Sequence, residues 1–269
     1  MTLKTLEMTG DELVLTLTYF NDWGYYKISD FIQRHHFNLN DCLNGLDSEL
    51  NESDKQIFIH NLKHAKNNIK MNNLYDIETI SMMNIIFPEK LYNGKYPVVF
   101  LYYQGNINLL NEDKCVTVIG TRELSKKYIT LTSRLIEKLV TNNYVIISGL
   151  ARGSDTLAHE LALDNNGKTI AVLPSPVDNI TPLKNLDLAR NIVNNNGLLI
   201  SEYSMNEPYD VSHYTRRDRI LSLLSKSCIV IELGNGKGTM KTVDYFLDQN
   251  KKVYALPGND PDIFIIIKP

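Results

Sequence analysis

The sequence predicts an α/β fold, a doubly wound and mostly parallel sheet preceded by a small all-helical domain. Two observations carry this. Beyond Asn111 the apolar segments "CVTVIG", "YVIISG", "KTIAVLP", "LLISEY", "SCIVIEL" and "KVYALPG" alternate with helix-patterned stretches that begin near Leu124, Ser154, Lys184, Tyr214 and Thr239. These segments are apolar along their length rather than at every second residue, as strands buried on both faces of a parallel sheet must be. Before Asn73, by contrast, "DELVLTLTYF", "YYKISDFIQRHH" and "ESDKQIFIHNLKHAKNNIKM" space their apolar residues three and four apart, the period of helices.

Taken in order, the helical region runs over residues 1–75. Ser53, in "NESD", is the expected N-cap of its last helix, with acidic neighbours where the helix dipole favours them. Residues 76–111 form a connecting segment that ends in a lead-in strand, since "PVVFLYY" has the β-branched and aromatic make-up of one. Residues 112–269 form the sheet domain. In that architecture the functional loops gather at the carboxyl ends of the strands, after Ile119, Ile147, Leu173, Ser201 and Leu233.

Composition narrows the class. A net charge of −3 over 269 residues argues against a surface coated for nucleic acid, yet leaves room for a local basic groove. Every arginine except Arg34 lies at or beyond Arg122, so the fork-shaped donors suited to phosphate are concentrated in the sheet domain. Cys42, Cys115 and Cys228 are far apart and form no metal-ligand spacing; Cys115 and Cys228, at the starts of apolar strands, read as buried small hydrophobes, and a reducing compartment fits. The amino terminus lacks the pattern of a signal peptide and no apolar run is long enough to span a bilayer. The expectation is a cytoplasmic protein without membrane contact, metal or cofactor.

The loops carry the rest. Gly120 ends a strand, and Arg122 follows before a helix whose N-terminal N–H groups suit an anion. In "SGLARGSDTLAH", Gly149 and Gly153 flank Arg152, a long cation with little packing to offer at a strand end, so anion binding explains it best. Asp155 reads as support for the helix dipole and His159 as a surface or half-buried histidine. A dinucleotide site would need a third glycine and an acid at the end of the second strand, and the sequence has neither. The third loop brings Lys184. The fourth places Arg216, Arg217 and Arg219 at a helix start, where three cations are unfavourable unless an anion is near, and sets the aromatic Tyr214 beside them, as a stacked and phosphate-linked base requires. Glu202 could be a base, a helix-contacting acid or an arginine partner, the last being favoured. The fifth loop, "ELGNGKGTMKTV", offers Gly234, Gly236 and Gly238 with Lys237 and Lys241, an anion nest rather than a Walker A loop. No nucleophile with an adjacent base stands out, so the site reads as one that holds phosphates and not as an enzyme's.

Together these loops resemble the DNA-processing protein A (DprA, or Smf) family from about Phe87 to Gly258. "IIFPEKLYNGKYPVVFLYYQGN", "VIGTR", "SGLARGSDTLAH", "YTRRDRILSLLS" and "KKVYALPG" follow the order of that family's motifs. The resemblance implies a Rossmann-like domain that binds single-stranded DNA, dimerises and loads RecA recombinase in natural transformation. It carries the DNA-binding role onto Arg122, Gly149, Arg152, Gly153, Arg217 and Arg219, with Tyr214 at a phenylalanine position; Lys184, Arg216, Lys237 and Lys241 join them from the residue reading. Thr181, Asp218 and "GNGKGTMKT" depart from the family pattern, and "NDPDIFIIIKP" has neither its glycine-rich continuation nor a winged helix. The runner-up is a phosphoribohydrolase of the LOG type, with Glu202 as base, because "GKGTM" resembles that family's glycine loop. A third reading is a protein-interaction module with surface arginines.

Overall fold

The computed structural model describes residues 2–208, 210–233, 238–256 and 265–267, and the chain divides into two compact units, Met1–Tyr102 and Tyr103–Pro269. The division falls inside the lead-in strand, so the segment read as a connector is shared between them.

In the first unit the helices are α1 (Gly10–Thr18), α2 (Tyr25–Arg34), α3 (Leu39–Glu49) and α4 (Glu52–Asn73), followed by strand β1 (Glu78–Ser81), the short α5 (Glu89–Tyr92) and β2 (Phe100–Gly105), which crosses the division. Leu13, Leu17, Ile28, Phe31, Ile32, Leu46 and Phe58 are fully buried, the apolar positions that the helical period selects. A capping box joins Thr9 and Glu12 at the start of α1. The cap of α4 is Asn51 and not Ser53: the Asn51 side chain accepts from the Asp54 N–H, placing Ser53 inside the first turn. Helix α3 and strand β1 were not expected. The α3 sequence is interrupted by Gly45, whose missing Cβ leaves the room that the His35 ring occupies.

In the second unit the strands are β3 (Cys115–Ile119), β4 (Val145–Ser148), β5 (Thr169–Val172), β6 (Leu198–Ser201), β7 (Ser227–Val230), β8 (Lys252–Ala255) and β9 (Ile265–Ile267). The helices are α6 (Lys126–Thr141), α7 (Ser154–Asp164), α8 (Leu186–Asn194), α9 (Ser212–Leu224) and α10 (Gly238–Asp248). Across the sheet the order is β6-β5-β4-β3-β7-β8-β9, parallel up to β8 and closed by the antiparallel β9. The expected doubly wound sheet is therefore present. From β3 the chain winds outward to β6, then returns to lay β7 on the other side of β3. The topological switch point lies between β3 and β7, the place where doubly wound sheets hold their ligands.

Side-chain alternation assigns the faces. Val116 and Val118 pack with Leu131, Leu135 and Ile136 of α6 and Ala158 and Ala162 of α7, whereas the Thr117 hydroxyl donates to the Leu221 carbonyl of α9 on the opposite face. Helix α9 is sunk into the unit, with buried residues that include His213, Arg217, Asp218 and Arg219 beside Ile220, Leu221, Leu223 and Leu224. No helix among the described residues is long and apolar enough to cross a membrane.

Candidate nucleic-acid interface

The loops at the carboxyl edge are tied to one another by main-chain bonds. Thr121 N–H donates to the Glu232 carbonyl across the switch point at 2.8 Å, and the Ser154 N–H and hydroxyl both donate to the Thr121 carbonyl, at 3.0 and 3.1 Å. Gly153 has φ +76° and no room for a Cβ against the backbone of Thr121 and Arg122, so Arg152 and Arg122 are held on adjoining turns. The Asp155 carboxylate accepts from the Gly149 and Ala151 N–H groups at 3.1 and 3.3 Å, closing the turn that leads into α7. Its support is thus given to the loop before the helix, through side-chain bonds rather than the dipole alone. Burial raises its pKa, opposed by the Arg217 charge. Asn185, which the residue reading did not single out, donates to the Leu150 carbonyl at 2.8 Å and the Thr156 hydroxyl at 2.9 Å; its place in "TPLKN" was the available signal.

Arg217 and Arg219 were expected to grip DNA phosphates, and the structure places both side chains inside the unit. Arg217 is 5% exposed. Its Nη1 donates to the carbonyls of Gly149 and Val172 at 2.7 and 2.6 Å, and its Nε to Asp218 at 3.0 Å, so one guanidinium joins the ends of β4 and β5 to α9. Gly149 serves that arrangement, because a Cβ there would collide with the guanidinium; its lack of a side chain admits the arginine. Burial raises the pKa of Asp218, against the pull of Arg217 and a bond to Thr242. Arg219 donates to both Glu202 oxygens at 2.5 Å and to the Arg216 carbonyl at 2.7 Å, which makes Glu202 the arginine partner it was read to be. The anions that offset these cations near a helix start are thus the protein's own. His159 is corrected as well: it is fully buried, with Nδ1 2.7 Å from the Thr169 hydroxyl. Burial, reinforced by Arg217, lowers its pKa to about 3 and keeps it neutral.

What remains outside is a set of cations and one aromatic. Arg122, Arg152, Lys184, Arg216 and Lys241 are exposed and Tyr214 is half-buried. The Arg122 guanidinium stands over the Tyr214 ring, 5.6 Å from its centroid, and Lys241 donates to the Thr215 hydroxyl at 3.3 Å. Gly153 meets Arg122, Arg122 meets Tyr214, and Thr215 meets Lys241; Lys184 stands beside Asn185, which is bonded to the Leu150 carbonyl. The exposed groups therefore line one edge. Lys237, Gly234 and Gly236 lie outside the described residues. No cluster that could hold a metal occurs among the described residues.

Fold and edge define a class: a doubly wound α/β protein that presents cations and a stackable aromatic ring at the switch point of its sheet. Within that class, the chain belongs to the DNA recombination-mediator protein A family, whose model matches residues 78–262. The DNA processing protein DprA of Streptococcus pneumoniae is 35% identical over 181 residues, covering 67% of this chain and 63% of that protein. The Smf protein of Escherichia coli is 37% identical over 172 residues, 64% of this chain and 45% of its own length. The chain thus matches less than two thirds of the length of these relatives. The crystal structure of the pneumococcal protein superimposes with a TM-score of 0.67 at 28% identity, covering 97% of this chain and 86% of that one. DNA processing protein A from Helicobacter pylori, whose structure addresses its single-stranded DNA binding mode, gives a TM-score of 0.60 at 30% identity over 66% of this chain and 80% of that chain.

Proposed function

We propose that this chain binds single-stranded DNA along the carboxyl edge of its parallel sheet, and that it acts by holding the strand rather than by making or breaking bonds. The observation that carries the reading is the Arg122 guanidinium over the Tyr214 ring, set among exposed Arg152, Lys184, Arg216 and Lys241. Cations grip the phosphates without reading sequence, and a ring accepts the face of any base, so binding is sequence-tolerant and salt-sensitive. The single-stranded DNA binding mode of the Helicobacter relative supports the same assignment. Glu202 counts against the phosphoribohydrolase alternative: both its oxygens are taken by Arg219 and its side chain is 2% exposed, leaving no free base at that strand end.

Membership of a recombination-mediator family supports a further role, delivery of the bound strand to RecA recombinase by a homodimer formed through the sheet unit, in the cytoplasm. The deciding experiment is an anisotropy titration with labelled single-stranded and duplex oligonucleotides over a range of salt. Tighter binding to the single strand, weakening with salt, is the expected result. Absence of DNA binding together with release of base from a nucleoside monophosphate would overturn the proposal. Sedimentation of the chain, and RecA filament assembly on strands it has coated, test the dimer and the delivery.

A further inference from the structure

The same edge carries an unusual set of exposed aliphatic side chains. Leu183 is 75% exposed, Val211 72%, Leu233 53% and Met240 40%, and each sits in or beside a loop that bears the cationic groups. Leu183 precedes Lys184, and Met240 precedes Lys241. Val211 is the N-cap of α9 and its carbonyl accepts from the Tyr214 N–H. Leu233 follows Glu232, whose carbonyl holds Thr121 next to Arg122. Scattered exposed aliphatics are ordinary, but here all four lie in or beside the strand-end loops, Leu183 and Met240 each directly before an exposed lysine, Val211 after Asp210 and Leu233 after Glu232.

Resting on the single-stranded DNA reading, we infer that Leu183, Val211, Leu233 and Met240 form with Tyr214 an apolar platform for unpaired bases, and so make the edge selective for single strands over duplex. The alternation of charge and apolar surface decides the occupant. The core of a protein–protein interface is depleted in charge, and this edge sets Lys184 beside Leu183 and Lys241 beside Met240. An unpaired nucleic acid strand alternates in the same way, anionic phosphate and apolar base face. A duplex keeps its base faces stacked inside and offers the platform only phosphates, so the apolar contacts are gained by an unpaired strand alone.

The test separates bases from backbone. The full chain and the Leu183→Ser/Met240→Ser variant are titrated with oligothymidine and with an abasic deoxyribose-phosphate strand of equal length. The parent is expected to bind oligothymidine on the order of a hundredfold more tightly than the abasic strand, because Tyr214 and the aliphatic side chains each contribute to the base contacts. In the variant the oligothymidine affinity falls about tenfold while the abasic affinity and the salt slope are unchanged, and Leu183→Met with Met240→Leu restores the parent's preference. Equal losses on the two strands, or no loss on either, overturn the platform; a parent that binds both strands equally overturns it while leaving the DNA-binding reading intact. A parent that binds neither strand overturns that reading, and the platform with it.

Discussion

Replacing Arg217 by alanine separates a supporting role from a DNA contact. In the folded protein the guanidinium supplies hydrogen bonds to two buried carbonyls, Gly149 at 2.7 Å and Val172 at 2.6 Å, and an ion pair to Asp218 at 3.0 Å. Its charge also offsets the buried Asp155. Each bond from a charged donor contributes about 1.5–3 kcal/mol, and removing one partner of a buried pair costs about 3–5 kcal/mol. These quantities describe the same desolvated cluster and do not add, so Arg217→Ala is expected to lose about 3–5 kcal/mol of folding stability. The assay is urea unfolding followed by far-ultraviolet circular dichroism, with oligonucleotide affinity measured in parallel at concentrations where the variant is folded. Arg217→Met combined with Asp218→Leu should recover only the share of the loss that comes from leaving Asp218 unpaired, because Asp155 stays buried without the Arg217 charge. An Arg217→Ala protein that unfolds at the parent's urea concentration and yet loses DNA affinity would refute the reasoning and return this side chain to the binding surface.

Four further outcomes follow from the same geometry. Tyr214→Ala is expected to weaken single-strand binding by about 1–3 kcal/mol, whereas Tyr214→Phe leaves it nearly unchanged; anisotropy titration of both variants checks the stacking role. Gly149→Ala places a methyl against the Arg217 guanidinium and should cost about 1–3 kcal/mol in a urea melt, a cost that largely disappears in the Arg217→Ala background. His159 has its pKa lowered from 6.5 to about 3 by burial, so below pH 6.5 the unfolded chain takes a proton that the folded chain refuses. Its contribution to stability is full above that pH and falls by about 2 kcal/mol on reaching pH 5, a slope that a urea series should find missing in His159→Asn. Arg152→Ala should reduce the slope of log affinity against log salt by about 0.7, the value for one phosphate contact on a single strand; Glu202→Gln should lower stability and leave that slope unchanged.

The lead-in strand β2 and strands β3 to β8 were legible as apolar runs between turn residues, and β3 to β6, buried along their length, leave no polar register to misread. Strand β1, "ETIS", was not, having a single large apolar residue in four positions. Helix α3 was hidden by asparagines, aspartates and Gly45, and it is held by burial of Cys42, Leu43 and Leu46 rather than by propensity. At the candidate site, the edge positions of Arg122, Arg152 and Tyr214 could be read because a glycine-flanked cation or an aromatic beside arginines has few structural uses at a strand end. Arg217 and Arg219 could not be told from Arg216. They differ only in that α9 lies sunk in the unit; Glu202 was read as an arginine partner, but which arginine it takes becomes visible only once the structure sets Arg219 against it. His159 misled for the same reason: its partner Thr169 is on β5, a pairing that the helix's own sequence does not show.

The misreading of α9 has a physical lesson about how such an edge is built. Loops at strand ends have few apolar contacts of their own, and cations that converge on one strand of DNA repel each other before it arrives. Arg217 and Arg219 spend their charge inside, on the main chain of β4 and β5 and on Glu202, and thereby fix the turns from which Arg152 and Lys184 project. On the single-stranded DNA proposal, fixing the turns in the free protein lowers the ordering cost of binding, so that buried charges can raise affinity without contacting the strand. The two kinds of arginine are then separable in solution: loss of a buried one moves the melting curve and spares the salt slope, and loss of an exposed one does the reverse.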